Sequence, residues 1–199
     1  RQKVKLVLAS DNKGKLREFG ALFADHGIEV VSQGSLGVTP CEEPYGTFLE
    51  NALAKARNAA KATGLAAMAD DSGITAHALV TEPGVHSARY SGEKSNDAAN
   101  NAKLVSAFED KSAHYTCVLV AVRSHDDPDP IVCEGCWYGE IVATPKGDGG
   151  FGYDPHFYLP EKGCTAAELS AEEKNQLSHR GKAMRLLLTE MQERWGVGR

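Results

Sequence analysis

The chain begins with a strand-length apolar run, Val4-Lys5-Leu6-Val7-Leu8-Ala9, which leads into the polar stretch Ser10-Asp11-Asn12-Lys13-Gly14-Lys15. Leu16, Phe19, Gly20 and Phe23 then recur at helical spacing, and Gly27 provides the stop. Ile28 to Val31 read as a second strand, followed by a loop rich in Gly, Ser and Pro that carries Glu42-Glu43. A helix is predicted from Phe48 to Thr63, with Thr47 as N-cap, Glu50 reaching back to complete a capping box, and Gly64 as stop. Its apolar face comprises Leu49, Ala52, Leu53, Ala56, Ala59 and Ala60. Lys55 stands at the edge of that face, where its stem packs and its ammonium reaches outward.

Leu65 to Ala69 read as a short buried strand, with Asp70-Asp71-Ser72-Gly73 as a turn at its carboxyl end before Ile74 and Ala76 resume the apolar pattern. Pro83 to Gly92 read as loop, and Asp97 to Phe108 as helix. Tyr115 to Arg123 and Ile131 to Ala143 are two long strands whose short acidic connection suggests an antiparallel hairpin. Met184, Leu187, Leu188, Met191 and Trp195 form the core stripe of a last helix. This order predicts an α/β protein with a mixed sheet and no internal repeats, and residues 1–199 suffice for one large domain or two lobes sharing a sheet.

Composition narrows the class. Apolar residues make up 42% and charged residues 25% of the 199, as in ordinary globular proteins, and no apolar run is long enough to span a bilayer. No signal peptide is visible, and neither a membrane nor a stable nucleic-acid partner is expected; a net charge of −5 argues against wholesale duplex binding. Of 5 cysteines only Cys133 and Cys136 are close in sequence, so no zinc site is completed. Reduced thiols, and with them a cytoplasmic location, are the expectation.

Candidate chemistry centres on Asp70-Asp71. Adjacent buried carboxylates repel and lose hydration unless a cation or hydrogen-bond donors compensate, and Mg²⁺ takes such hard oxygen ligands. An Asx-turn facing water accounts for the same spacing. Ser10 to Lys15 lies between a strand and a helix, where backbone N–H groups and the helix dipole face an anion; Ala9 and Leu16 exclude a Walker loop. Gly147 to Gly152 matches the dinucleotide glycine pattern literally, yet Tyr153-Asp154-Pro155 follow it instead of a helix. A loop that offers Phe151 and Tyr153 to a base by stacking is the better reading. Ser178 is a candidate N-cap for the last helix, with His179 and Arg180 as donors into a pocket.

These stretches resemble the inosine triphosphate pyrophosphatases. The matching segments are Ser10-Asp11-Asn12-Lys13-Gly14-Lys15, Glu42-Glu43 with Thr47-Phe48-Leu49-Glu50-Asn51-Ala52, Ala69-Asp70-Asp71-Ser72-Gly73, Pro83-Gly84, Ser87 to Gly92, Gly149 to Pro155, and Ser178-His179-Arg180-Gly181. They follow family order across nearly the whole chain; Asp11 and Cys136 depart from the usual residues. The resemblance implies an elongated two-lobed fold with a long mixed central sheet, an active-site cleft between the lobes, a homodimer, and Mg²⁺-dependent hydrolysis of ITP, dITP and XTP to monophosphate and pyrophosphate. It implies Asp71 as water-activating base or metal ligand, with Glu42 or Glu43 as second carboxylate; neighbouring extended side chains face opposite ways, so only one of the two reaches the metal, with Glu43 slightly favoured. Lys15, Lys55 and Lys174 would neutralise phosphates beside Ser10, Asp11, Asn12, Lys13, Gly14 and Ser72. Phe151, Gly152, Tyr153, Asp154, His179 and Arg180 would take the base. The alternatives are a pyrophosphatase for modified pyrimidine nucleotides and a nucleotide-binding module without catalysis.

Overall fold

In the computed structural model, residues 4–92, 96–106 and 110–197 are described. The elements that position the candidate residues run β1 (Val4–Leu8), α1 (Lys13–Ala24), β2 (Ile28–Ser32), α2 (Phe48–Thr63), β3 (Ala67–Ala76), α3 (Asp97–Ser106), β4 (Ser112–Val122), β5 (Ile131–Ile141), β6 (Phe157–Leu159), β7 (Cys164–Thr165), α4 (Ala171–Leu177) and α5 (His179–Arg194). The strands form one seven-stranded sheet in the order β2-β1-β3-β4-β5-β6-β7. It is mixed: β1 runs parallel to β2 and to β3, whereas β5, β6 and β7 pair antiparallel.

The chain divides into two compact units. The first comprises residues up to Asp71, Val118–Glu134 and the chain from Ala183; the second comprises Ser72–Cys117 and Gly135–Lys182. In the first, Val7, Ala9, Ala67 and Ala69 pack with Ala52, Ala56, Ala59 and Ala60 of α2 and with Val118, Val120 and Val122 of β4. Small residues on α2 let the helix lie close on the sheet. In the second, Ile74, Tyr115, Trp137, Ile141, Tyr153 and Phe157 build the core.

Several expectations are corrected. Asp70 and Asp71 do not follow a strand; they lie within β3, which runs unbroken through Ser72-Gly73. Strand pairing overrides the turn propensity of Asp-Asp-Ser-Gly. Leu49 is 43% exposed, outside the buried face of α2. Thr47 caps α2 by accepting from the Glu50 N–H, but its hydroxyl donates to the Glu50 carboxylate, so that carboxylate serves the hydroxyl. Gly84–Arg89 is a short 3-10 helix inside the expected loop. Phe108, the expected end of the third helix, lies outside the described residues. Met184, Leu187, Leu188 and Met191 are buried as expected, and none of the five cysteines is joined in a disulfide.

Candidate active site

The order β2-β1-β3 creates a switch point. Right-handed crossovers from β1 to β2 and from β2 to β3 run opposite ways along the sheet, which puts α1 and α2 on opposite faces. Ligands of open α/β sheets lie outside the carboxyl ends of strands at such a point. Here the end of β1 meets the start of β3, because Leu8 pairs with Met68 and the Ala9 N–H donates to the Met68 carbonyl, so Asp70 and Asp71 follow just beyond the end of β1.

Alternation along β3 then separates the two acids. Asp71 shares a face with Ala67 and Ala69, toward α2, whereas Asp70 takes the α1 face. Asp70 is buried, and Lys15 of α1 donates to its Oδ1 at 3.0 Å. On the other face Lys55 of α2 lies 2.8 Å from Glu43 Oε1 and 4.0 Å from Asp71 Oδ1, and also donates to the Asp70 carbonyl. Asn51, one turn before Lys55, donates to Asp71 Oδ2 at 3.2 Å. Both glutamates of the loop are exposed, and Glu43 is the one whose carboxylate reaches Lys55.

Burial pushes the Asp71 carboxyl up, Glu43 and Asp70 add to this, and Lys55 and Asn51 oppose it; the result is about 6. For Lys55, burial alone would lower the ammonium, but Asp70, Glu43 and Asp71 outweigh it and the net shift is upward. Lys55 is therefore a firmly charged ammonium.

The N-terminus of α1 completes this group. Asn12 caps the helix by accepting from the Lys15 N–H at 3.0 Å, and Ser10 Oγ accepts from the Asn12 N–H. Asp11 turns to the Gly34 N–H at 2.8 Å, which ties the loop to the turn after β2. Lys13 is exposed at the first position, and Gly14 follows it. Ser10, Asp11, Lys15, Glu43 and Lys55 line a cavity of about 260 Å³. A larger hollow of about 570 Å³ in the second unit, lined by His77, Trp137, Tyr138, Lys162 and Lys182, contains none of the expected site residues. Convergent charge, rather than size, marks the candidate site.

The remaining candidates gather in the second unit. Asp154 is buried and accepts from the Phe151 N–H at 3.0 Å, the Tyr115 hydroxyl at 3.0 Å and Lys174 Nζ at 2.7 Å. Gly150 has φ +68°, and a Cβ there would strike the Asp154 carboxylate. That turn carries Phe151, 54% exposed, with Lys174 Nζ 4.6 Å and the Arg180 guanidinium 5.4 Å from its ring centre. Lys174 is thus engaged with Asp154 and Phe151. Gly152 accepts from Asn101 and donates to Asp97. Tyr153 cannot stack on a base as expected: it is buried, and its hydroxyl donates to the Ser87 carbonyl at 2.6 Å.

Ser178 caps α5 through the Gly181 N–H, and any Cβ at Gly181 would collide with the Asn175 carbonyl. This anchors His179 and Arg180, both buried, at the start of α5; the His179 ring stacks on Tyr115 at 4.6 Å and 7°. Ser72 continues β3 beyond Asp71, on the face of Asp70.

Sequence reasoning missed Asn51 and Tyr115. The i, i+4 spacing of Asn51 and Lys55 could have found the first. Nothing local signals Tyr115, a strand residue whose partners lie far along the chain.

A parallel-strand switch point with paired acids and lysines belongs to the class of α/β proteins that bind anionic ligands at a sheet edge. The Ham1 family matches residues 6–190, and the chain belongs to that family. A dITP/XTP pyrophosphatase of Ralstonia nicotianae is 58% identical over 190 residues, covering 92% of this chain and 94% of its own. That of Nitrosomonas europaea is 59% identical over 192 residues, with 95% of each chain covered. The solved HAM1 protein of Coxiella burnetii has a TM-score of 0.91 at 46% identity, over 96% of this chain and 99% of that one.

Proposed function

We propose that this chain hydrolyses deaminated purine nucleoside triphosphates (ITP, dITP and XTP) to the monophosphate and pyrophosphate, clearing these bases from the nucleotide pool. The naming of its relatives supports the reaction, and one observation carries the assignment of the site: Glu43 and Asp71 converge on Lys55, with the Asp71 carboxyl lifted to about 6. A base poised near neutrality suits removal of a proton from water. Asp71 takes that proton as the oxygen attacks the α-phosphorus, and the bond to the leaving pyrophosphate breaks. Lys15 and Lys55 neutralise the charge that develops, and the N-terminus of α1 with Ser10 and Asn12 holds the phosphate oxygens.

The donor set fits Mg²⁺. Two hard carboxylates, Glu43 and Asp71, approach one cation, and among the described residues no group of three acidic, His or Cys side chains forms a closed cage. Mg²⁺ commonly uses one or two carboxylates plus phosphate and water. When bound there, it would polarise the phosphates and lower the proton affinity of the attacking water.

Phe151 stacks on the base, and His179 and Arg180 donate to O6 of hypoxanthine or xanthine, where adenine would oppose donor with donor. A homodimer and a cytoplasmic location belong to the same proposal; no helix of the described residues is long and apolar enough to cross a membrane. Pyrophosphate release from ITP, XTP, dUTP, GTP and ATP with Mg²⁺ tests the proposal. Preference for dUTP would favour the pyrimidine reading, and binding without turnover the non-catalytic one.

Lys55→Ala is expected to lower kcat/KM on ITP by about 10²-fold, the scale of a lost transition-state charge contact. Alanine continues the helix well, so folding survives. An unchanged kcat/KM would make Lys55 a mere partner of Glu43.

Phe151→Ala removes stacking worth about 1–3 kcal/mol and should weaken ITP and ATP alike. Arg180→Ala should instead cost ITP more than ATP. Comparing kcat/KM for both nucleotides at saturating Mg²⁺ separates the two; preference lost at Phe151 and kept at Arg180 would reverse the assignment.

A further inference from the structure

We infer that Asn51 is a positioning residue that sets Asp71 and the Glu43 loop in one geometry; this rests on the hydrolysis proposed above. Asn51 is 2% exposed, in the first turns of α2. Its Oδ1 accepts from the Tyr45 N–H at 3.1 Å, and its Nδ2 donates to the Tyr45 carbonyl at 3.1 Å and to Asp71 Oδ2 at 3.2 Å.

The orientation of the carboxamide follows from its partners. Turned over, it would set NH₂ against the Tyr45 N–H and oxygen against the Asp71 carboxylate, repulsive on both sides. One side chain therefore spans three parts of the site. It closes on both polar groups of Tyr45, two residues after Glu43, and so holds the loop whose carboxylate meets Lys55 at 2.8 Å. It occupies Asp71 Oδ2, which leaves Oδ1 as the oxygen directed toward Lys55. It also stands four residues before Lys55, so the ammonium and the carboxamide leave α2 from one face.

Positioning of this kind governs rate more than affinity, because an error of about 1 Å in a reacting group costs on the order of 10²-fold. Asn51→Ala and Asn51→Asp test it together. Alanine removes all three bonds. Aspartate keeps the shape and the acceptor for the Tyr45 N–H, but loses both donors and faces Asp71 with like charge.

The expected result is a kcat on ITP lowered about 30- to 100-fold in both variants, with KM within about threefold, assayed at least 15 °C below each melting midpoint. Hydrogen exchange of the Tyr45 amide, read without nucleotide or metal, should quicken in Asn51→Ala and stay slow in Asn51→Asp. A wild-type kcat in either folded variant overturns the inference, as does a protected Tyr45 amide in Asn51→Ala. If the wild type itself releases no pyrophosphate from ITP, the proposed function fails instead, and the exchange measurement still decides whether Asn51 holds the loop.

Discussion

Asp71→Asn is expected to leave less than about one hundredth of the wild-type kcat on ITP, the scale of a lost general base, while making the metal-free protein more heat-stable at pH 8. Both follow from one feature. Burial, with Glu43 and Asp70 adding to it, raises this carboxyl from 3.8 to about 6. A carboxyl with a raised folded-state pKa contributes stability that is fully present below its unfolded value, and loses it as pH rises through the folded one. The window therefore runs from about 4 to about 6, and two pKa units correspond to about 3 kcal/mol as an upper figure. Asparagine mimics the protonated side chain at every pH. In EDTA, its Tm should exceed that of wild type by about 5 °C at pH 8 and by about half of that at pH 5, the two converging only below about pH 4, given about 2–4 °C per kcal/mol for a chain of this size. Mg²⁺ should raise the wild-type Tm at pH 8 and barely move that of the variant. A variant less stable than wild type at pH 8 would mean that the Lys55 attraction outweighs burial.

The second large effect is expected at Asp154. Asp154→Ala removes a buried acceptor of three bonds and leaves Lys174, itself 14% exposed, without its carboxylate. Breaking a buried pair by deleting one partner costs about 3–5 kcal/mol, here toward the lower end because Lys174 can turn to water. A fall in Tm of about 10 °C follows. Tyr115 should be coupled to this loss. Burial, with Asp154 adding to it, holds its hydroxyl far above the ordinary value, so it stays protonated and donates. Tyr115→Phe alone should cost about 1–3 kcal/mol, and far less once Asp154 is gone. Additive losses would show that the hydroxyl finds its stability elsewhere. The activity of Asp154→Ala should fall too, because the Phe151 turn closes on this carboxylate.

These two sites differ in how far the chain announces them. Both helices flanking the first strands, the cap at Thr47, and the strands themselves were legible, because periodicity and capping are local and repeat within one or two turns. The acidic pair and the lysines were legible as chemistry, and alternation implied that only one of Glu42 and Glu43 reaches the site without deciding which. The Asp70-Asp71 turn was misread because turn propensity is local, whereas pairing of β3 with distant strands is not. Tyr153 was misread for a related reason: aromatic rings beside glycines look alike in sequence whether they face solvent, as Phe151 does, or a core carbonyl, as Tyr153 does.

By itself, then, the sequence determined the α/β class, the element order and the residue types able to handle a triphosphate. Only the tertiary structure decided which acid meets which lysine. The order β2-β1-β3 puts α1 and α2 on opposite faces, and the two-residue period of β3 sends Asp70 to Lys15 and Asp71 to Asn51 and Lys55. The same holds for Lys174, which its position after α4 begins delivers to Asp154, and for Tyr115, which reaches Asp154 across 39 residues of chain. Contacts made at such separation depend on strand order and register, and no local run of residues encodes either.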